Sequence, residues 1–148
     1  MNDLRDISTP ALAYLGDCVF ELCVRTYLVG ECGFSTSAHL NREALRFVCA
    51  SAQSKAMDAI EPILTPEELS VFKRGRNMGH SQVPKRASVK EYRRATGMEV
   101  LFGYLALSGR EDRVQALFRI GYGLDNSGVA QALPEDPQVA DEAATLSI

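Results

Sequence analysis

The sequence contains no apolar stretch long enough to span a membrane. Its first residues lack the basic region and the following apolar region that make up a signal peptide. Strict alternation of apolar and polar residues, the pattern of β-strands, is also missing, and no segment repeats. We therefore expect a cytoplasmic, all-α protein, and 148 residues suffice for one domain with its own core.

Cysteine and histidine are too few and too scattered to indicate a metal cluster. No C-x-x-C pair occurs, and three of the cysteines lie in segments with helical apolar spacing. The four cysteines are Cys18, Cys23, Cys32 and Cys49. We expect reduced thiols rather than disulfides or a zinc site. His39 and His80 are isolated, so the sequence indicates neither a histidine base nor a covalent nucleophile.

Basic residues are absent from the end of the chain and concentrated in one segment before it. Residues 125–148 carry five acidic residues and no Lys or Arg. Residues 1–124 contain all 16 basic residues against 14 acidic ones, and eight of the basic residues lie between positions 73 and 94. The net charge of −3 therefore hides a local basic segment. We expect a folded domain over residues 1–124 and an acidic, flexible tail over 125–148.

Helix starts are marked by capping residues. Ser8 and Thr9 precede Pro10, which suits the first position of a helix. Thr65 and Ser88 each begin a capping box, with a glutamate three residues later. Together with apolar spacing and glycine stops (Gly30 and Gly33 for the first), these signals predict five helical segments, over roughly 9–29, 36–60, 66–77, 89–108 and 111–120. Residues 77–87 are predicted to form a loop.

Two of these helices carry an acid inside an otherwise apolar environment, with a glycine close before it. Asp17 follows Gly16 directly, and Glu99 follows Gly97 by two residues. Glycine inside a helix costs roughly 1 kcal/mol relative to alanine, so it requires a reason. One possible reason is close contact between two helices. Another is that the backbone must leave room for a metal ion and a phosphate. Alternatively, both acids face solvent and the glycines only help packing.

If the two acids face the core, they need a cation, because a buried unpaired carboxylate is costly. Magnesium suits such a site, since it takes oxygen ligands, keeps several waters and bridges carboxylates to a phosphate.

The segments around both acids resemble the ribonuclease III family. Residues 11–22, ALAYLGDCVFEL, look like its signature helix, and residues 95–105, ATGMEVLFGYL, resemble its second acidic motif. Between them, RGRN at 74–77, VPK at 83–85 and YR at 92–93 are similar to the Mini-ribonuclease III subgroup, which has the nuclease domain without a double-stranded-RNA-binding domain. The resemblance covers residues 8–122 and makes 1–124 the expected catalytic domain, with the family's all-α fold.

By this resemblance, Asp17 and Glu99 are the catalytic residues and bind Mg2+. Larger relatives have further acids at the positions of Ala13 and Thr96, so we expect one firmly held ion, with any second ion held by RNA and water. The implied reaction is phosphodiester hydrolysis that leaves 5′-phosphate and 3′-hydroxyl ends. Glu21, one helical turn after Asp17, is either an outer partner of the site or a surface residue.

The resemblance also implies a homodimer and a duplex RNA substrate. Tyr14 matches an aromatic residue that inserts into the partner subunit, although it could equally belong to the core. Two-fold symmetry would present one active site to each RNA strand. The basic segment supplies the expected RNA contacts, which read shape more than sequence. The predicted RNA-binding residues are Lys73, Arg74, Arg76, Asn77, Lys85, Arg86 and Arg93.

The resemblance implies a cellular role in maturing the ends of large-subunit (23S) ribosomal RNA, with a ribosomal protein as a candidate for presenting the substrate. Two other functions remain open from the sequence. One is a catalytically weakened, RNA-binding relative, favoured by Ala13 and Thr96. The other is a helical protein-interaction domain. Competition between the acidic tail and RNA for the basic segment is compatible with the nuclease interpretation.

Overall fold

A computed structural model describes residues 3–79 and 87–124 of the chain. The predicted loop falls partly, and the predicted tail entirely, outside these described residues. Within them the fold is all-α, as predicted, and no helix is long and apolar enough to cross a bilayer. The α-helices are α1 Thr9–Thr26, α2 Ser37–Val48, α3 Ala50–Ile60, α4 Pro66–Arg76, α5 Val89–Leu107 and α6 Glu111–Gly121.

Helix α5 is the centre of the fold. Its most extensive contacts are with α1, followed by α4 and α3, and α6 packs mainly on α3. Every residue from Ala95 to Leu105 is buried except Glu99 and Tyr104, and Met98, Leu101 and Phe102 are fully enclosed. The apolar faces of the other helices pack around α5. Residues of α1, α3 and α4 therefore lie beside it.

The predicted helix starts are confirmed. The hydroxyl of Ser8 accepts a hydrogen bond from the backbone N–H of Ala11 at 3.2 Å. Both capping boxes, at Thr65 and at Ser88, have their two reciprocal hydrogen bonds. The first helix ends differently from the prediction: a π-helical turn, Tyr27–Glu31, continues through Gly30, and only Gly33 has the positive φ, 70°, that stops it.

The single helical segment predicted over 36–60 is wrong in one respect, because the structure divides it into α2 and α3. Cys49 adopts an extended conformation, with φ −67° and ψ 149°, and serves as C-cap of α2 and N-cap of α3. Its carbonyl accepts the backbone N–H of Gln53 at 3.0 Å, which forms the first turn of α3. The break turns α3 so that its buried face packs on α5.

Candidate active site

The two acids come together where α1 crosses α5 with almost no gap. A Cβ added to Gly16 would collide with the carbonyl oxygen of Glu99, and one added to Gly103 would collide with the carbonyl oxygen of Leu12. Gly16 precedes Asp17, so the backbone contact fixes Asp17 directly beside Glu99. Of the two reasons considered for these glycines, close helix–helix contact accounts for Gly16.

A second close contact packs α4 against α5. A Cβ on Gly97 would lie 2.7 Å from the ring of Phe72, and one on Gly75 would lie 2.8 Å from the Cα of Gly97. The glycine before Glu99 therefore serves the packing of α4, and the RGRN segment at 74–77 is held against the N-terminal half of α5.

Asp17 and Glu99 line one open cavity of about 500 Å³. Asp17 is exposed, while Glu99 is half-buried. The cavity is lined by Pro10, Ala13, Tyr14, Asp17, Val48, Ala50, Gln53, Tyr92, Ala95, Thr96 and Glu99. The ionisable groups in this lining are the two acids and the two tyrosines, so its donors are oxygen atoms and one amide. Both acids thus face the same space rather than separate solvent-facing stripes.

Burial dominates the electrostatics of Glu99. It raises the pKa of this carboxyl from 4.5 to about 7, with a smaller upward contribution from the charge of Asp17. The Nε2 atom of Gln53 donates a hydrogen bond to Oε1 of Glu99 at 3.3 Å, and this bond acts in the opposite direction. A positive ion beside the two acids would relieve the destabilised charge.

No third acid completes the pair among the described residues. Ala13 and Thr96 line the cavity at the positions where larger relatives have acids. The hydroxyl of Thr96 donates a hydrogen bond to the carbonyl of Tyr92 at 3.0 Å, within its own helix. In residues 3–79 and 87–124, no group of three or more His, Cys, Asp or Glu residues is placed to hold a metal.

Glu21 lies away from this cavity. Its carboxylate accepts a hydrogen bond from Nε of Arg25 at 2.9 Å, one turn along α1. Both side chains line a separate groove between α1 and α2. Of the two roles considered for Glu21, the geometry fits the surface residue.

Tyr14 is not a core residue of the single chain. Its side chain is 86% exposed, more than any other large hydrophobic residue within 3–79 and 87–124, and it borders the cavity of the two acids. An exposed aromatic ring next to the site fits the predicted insertion into a partner subunit.

Three of the predicted RNA-binding residues meet in a second cleft of about 530 Å³, at the end of α4 and the start of α5. Arg76 and Asn77 come from the end of α4, and Arg93 from the first turns of α5. Arg93 precedes Glu99 by six residues, a distance of roughly 9 Å along the helix axis. The cleft is also lined by Asp58, Glu61, Val89, Lys90 and Arg94.

Two other predicted RNA-binding residues, Lys73 and Arg74, do not line this cleft. Lys73 is exposed on α4, outside its lining. Arg74 donates hydrogen bonds to Oγ1 of Thr9 at 2.9 Å and to the carbonyl of Ile7 at 3.1 Å, so it ties α4 to the start of α1. Lys85 and Arg86 lie outside the described residues.

One residue with a place in the site was missed from the sequence. Gln53 is separated from Glu99 by 46 positions, and nothing in its local sequence indicates the contact. Arg94 was a candidate for RNA contact as part of the basic segment, and in the structure it pairs with Asp58 at 2.8 Å and donates to the hydroxyl of Ser54 at 3.0 Å. Both contacts join α3 to α5.

Comparison with known proteins identifies the family to which this chain is similar. The model of the ribonuclease III domain matches residues 10–110, which include both acids and the helices that carry them. The chain belongs to the ribonuclease III family. This confirms the predicted family, its all-α fold and its enzyme class, an endoribonuclease. Members of the ribonuclease III family generally depend on a divalent metal, act on double-stranded RNA and form dimers.

Relatives within the ribonuclease III family are named Mini-ribonuclease 3. The chain is 37% identical to that of Clostridium tetani over 119 residues, covering 80% of this chain and 79% of the relative. It is 38% identical to that of Desulfitobacterium hafniense over 144 residues, covering 93% and 89%. A crystal structure of a Fusobacterium nucleatum protein superposes with a TM-score of 0.72 at 30% identity, over 81% of this chain and 96% of that one.

Proposed function

We propose that this chain is a cytoplasmic, Mg2+-dependent endoribonuclease that cuts double-stranded RNA as a homodimer, with Asp17 and Glu99 as its catalytic and metal-binding residues. The observation that carries the proposal is the convergence of these two acids in one open cavity, fixed by the backbone contact between Gly16 and Glu99. Neither acid alone would distinguish a catalytic site from a solvated helix face.

The residues around the cavity fit Mg2+. The polar side chains of the cavity lining are two carboxylates, one amide and three hydroxyl groups, and no Cys or His lines the cavity. Oxygen ligands are those that Mg2+ prefers, and the open space accommodates the waters that it retains. Asp17 and Glu99 would hold the ion, which when bound offsets charge on a phosphate and makes water a better nucleophile. With two carboxylates, we expect the protein to hold one ion firmly.

The chain's own residues would bind and orient the RNA. Arg76, Asn77 and Arg93 line one cleft at the start of α5, the helix that carries Glu99, and their charges and donors suit phosphates and 2′-hydroxyls. Lys73, Arg74, Lys85 and Arg86 remain proposed contacts of the same basic segment. Tyr14, exposed at the edge of the cavity, would pack against the partner subunit and set the spacing of the two active sites.

The proposed test compares the purified protein with Asp17→Asn and Glu99→Gln variants on duplex RNA, with and without Mg2+. We expect the wild type to cut only with the metal, and each variant to lose at least about 100-fold in rate, because each removes a charged ligand. Intact RNA with wild-type protein would contradict the nuclease function. If RNA were bound but not cut, the weakened RNA-binding relative would be supported instead.

For the cellular substrate, we propose the paired stem around precursor 23S ribosomal RNA, presented with a ribosomal protein. This rests on the resemblance to Mini-ribonuclease III. The test is cleavage of a transcript of that stem beside an unrelated duplex of equal length. Cuts at the mature ends of the stem alone would support the role, and equal random cutting of both duplexes would contradict it.

A further inference from the structure

Gln53 contacts Glu99 from outside the two acidic motifs. Its side chain is almost fully enclosed, at 3% exposure, yet its amide lines the cavity of the two acids. The Nε2 atom donates to Oε1 of Glu99 at 3.3 Å across α3 and α5. Burying a glutamine amide without hydrogen-bond partners is costly. Apolar packing alone therefore does not explain why a glutamine stands at this position.

The break at Cys49 places Gln53 beside the site. Gln53 lies in the first turn of α3, where its backbone N–H bonds to the carbonyl of Cys49. A continuous helix through Cys49 would direct α3 along the axis of α2, away from its packing on α5. The change of direction therefore determines which residue reaches Glu99.

An amide has the chemistry that this position requires. The NH2 group of glutamine donates hydrogen bonds and carries no charge. It can hold one oxygen of Glu99 without adding to the negative charge of the pair or competing for a cation. Because Ala13 and Thr96 replace further acids, the orientation of Glu99 depends on few polar neighbours.

We propose that Gln53 is a positioning residue of the metal site, which fixes Oε1 of Glu99 so that its second oxygen and Asp17 share a divalent cation. The inference rests on the proposed function, since it assumes that the two acids bind a metal. Partners of metal ligands typically contribute 10–100-fold to metal affinity or activity.

The test measures Mn2+ binding, as a probe for Mg2+, by isothermal titration calorimetry of the RNA-free protein. We expect Gln53→Met, which keeps the length of the side chain but lacks the donor, to weaken Mn2+ affinity by about tenfold or more. In cleavage assays kcat should fall and the Mg2+ needed for half-maximal rate should rise. The KM for RNA should change little, because the basic cleft is intact.

Ser54→Ala provides a matched control on the same turn of α3. Ser54 is also buried, at 6% exposure, but its partner is Arg94 rather than Glu99. It should lower the unfolding temperature while leaving Mn2+ affinity at the wild-type value. If Gln53→Met does not fold, Gln53→Asn serves instead, because its shorter amide fits the space but does not reach Oε1.

Wild-type Mn2+ affinity in a folded Gln53 variant would overturn the proposal, as would equal loss of affinity in Ser54→Ala. So would absence of Mn2+ binding to the wild type. Failure of the proposed function has a different signature: Mn2+ binds and depends on Gln53, but the wild type leaves duplex RNA intact.

Discussion

At the scale of single residues, Glu99 occupies an environment that opposes its charge. The ordinary pKa of its carboxyl is 4.5, and in the folded chain burial raises this to about 7. A folded state that binds the proton more tightly than the unfolded state is stabilised below the unfolded pKa. That stability is lost as the pH rises from about 4.5 through about 7, because the carboxyl must ionise within the fold.

The metal-free protein should therefore lose up to about 3 kcal/mol of unfolding free energy from Glu99 over this pH window. Glu99→Gln, which stays neutral, should be more stable than the wild type at pH 8 and nearly equal to it at pH 4.5. Urea denaturation in EDTA at both pH values measures the difference. Glu111→Gln, an exposed residue of α6, is the control and should follow the wild type. A constant difference between Glu99→Gln and the wild type across pH would contradict the assignment.

At the scale of helices, the crossing of α1 and α5 should tolerate no side chain at Gly16. Overpacking of a core typically costs 1–3 kcal/mol, and here the obstacle is the backbone of Glu99 rather than a movable side chain. We expect Gly16→Ala to lower Tm by roughly 4–10 °C or more and to reduce activity, because the two acids separate.

Gly30→Ala is the matched control for this prediction. Gly30 lies in the π-helical turn after α1, and a Cβ there meets nothing within 4 Å. Its Tm should be unchanged or slightly higher. Equal Tm values for the two alanine variants would contradict the close crossing.

Helix ends were predictable from the sequence where the determining contacts are local. The caps at Ser8, Thr65 and Ser88 act on backbone N–H groups three residues away, so a short window contains the whole signal. The break at Cys49 was missed because neither glycine nor proline stands there, and alanines follow. It arises from packing of α3 on α5, which no local pattern records.

The same distinction applies to the site. Asp17 and Glu99 could be selected as candidates because family motifs surround them, and the structure places both in one cavity. Gln53 has no such motif, and its partner is 46 residues away. Arg74 was selected as part of the basic segment and its RGRN motif, and its hydrogen bonds to Thr9 and Ile7 give it a second, structural role.

The cleft at the ends of α4 and α5 should dominate RNA affinity. We expect Arg76→Ala with Arg93→Ala to weaken duplex RNA binding and to reduce the slope of log affinity against log salt by roughly one per lost phosphate contact. Filter binding over a salt series measures both. Lys55→Ala, which removes an exposed charge on the α6 side of α3, should leave the slope unchanged. An unaltered slope in the double variant would remove the cleft from RNA binding.

At the scale of the whole molecule, the net charge is negative but the positive charge is concentrated in one segment. The chain carries −3 overall, yet eight of its 16 basic residues lie between positions 73 and 94. RNA approaching the chain would meet local attraction at this basic segment, whose residues Lys90 and Arg93 lie on the same helix as Glu99. Such local attraction orients a substrate more than it strengthens binding in general.

Assembly should depend on Tyr14. Tyr14→Arg places a charge at the proposed dimer contact, so we expect a monomer in sedimentation velocity and greatly reduced cutting of duplex RNA. Ile63→Arg, another exposed apolar residue outside both clefts, should remain dimeric and active. A dimeric Tyr14→Arg protein would show that the subunits meet elsewhere.

The backbone contact between Gly16 and Glu99 has a consequence for thermal inactivation. Sites built from loops often lose activity well before a protein melts, because loops open at low cost. Here the spacing of the two acids is set inside the contact of α1 with α5, the most extensive between helices in the described part of the chain. The temperature curves for lost activity and for lost helical signal should therefore coincide.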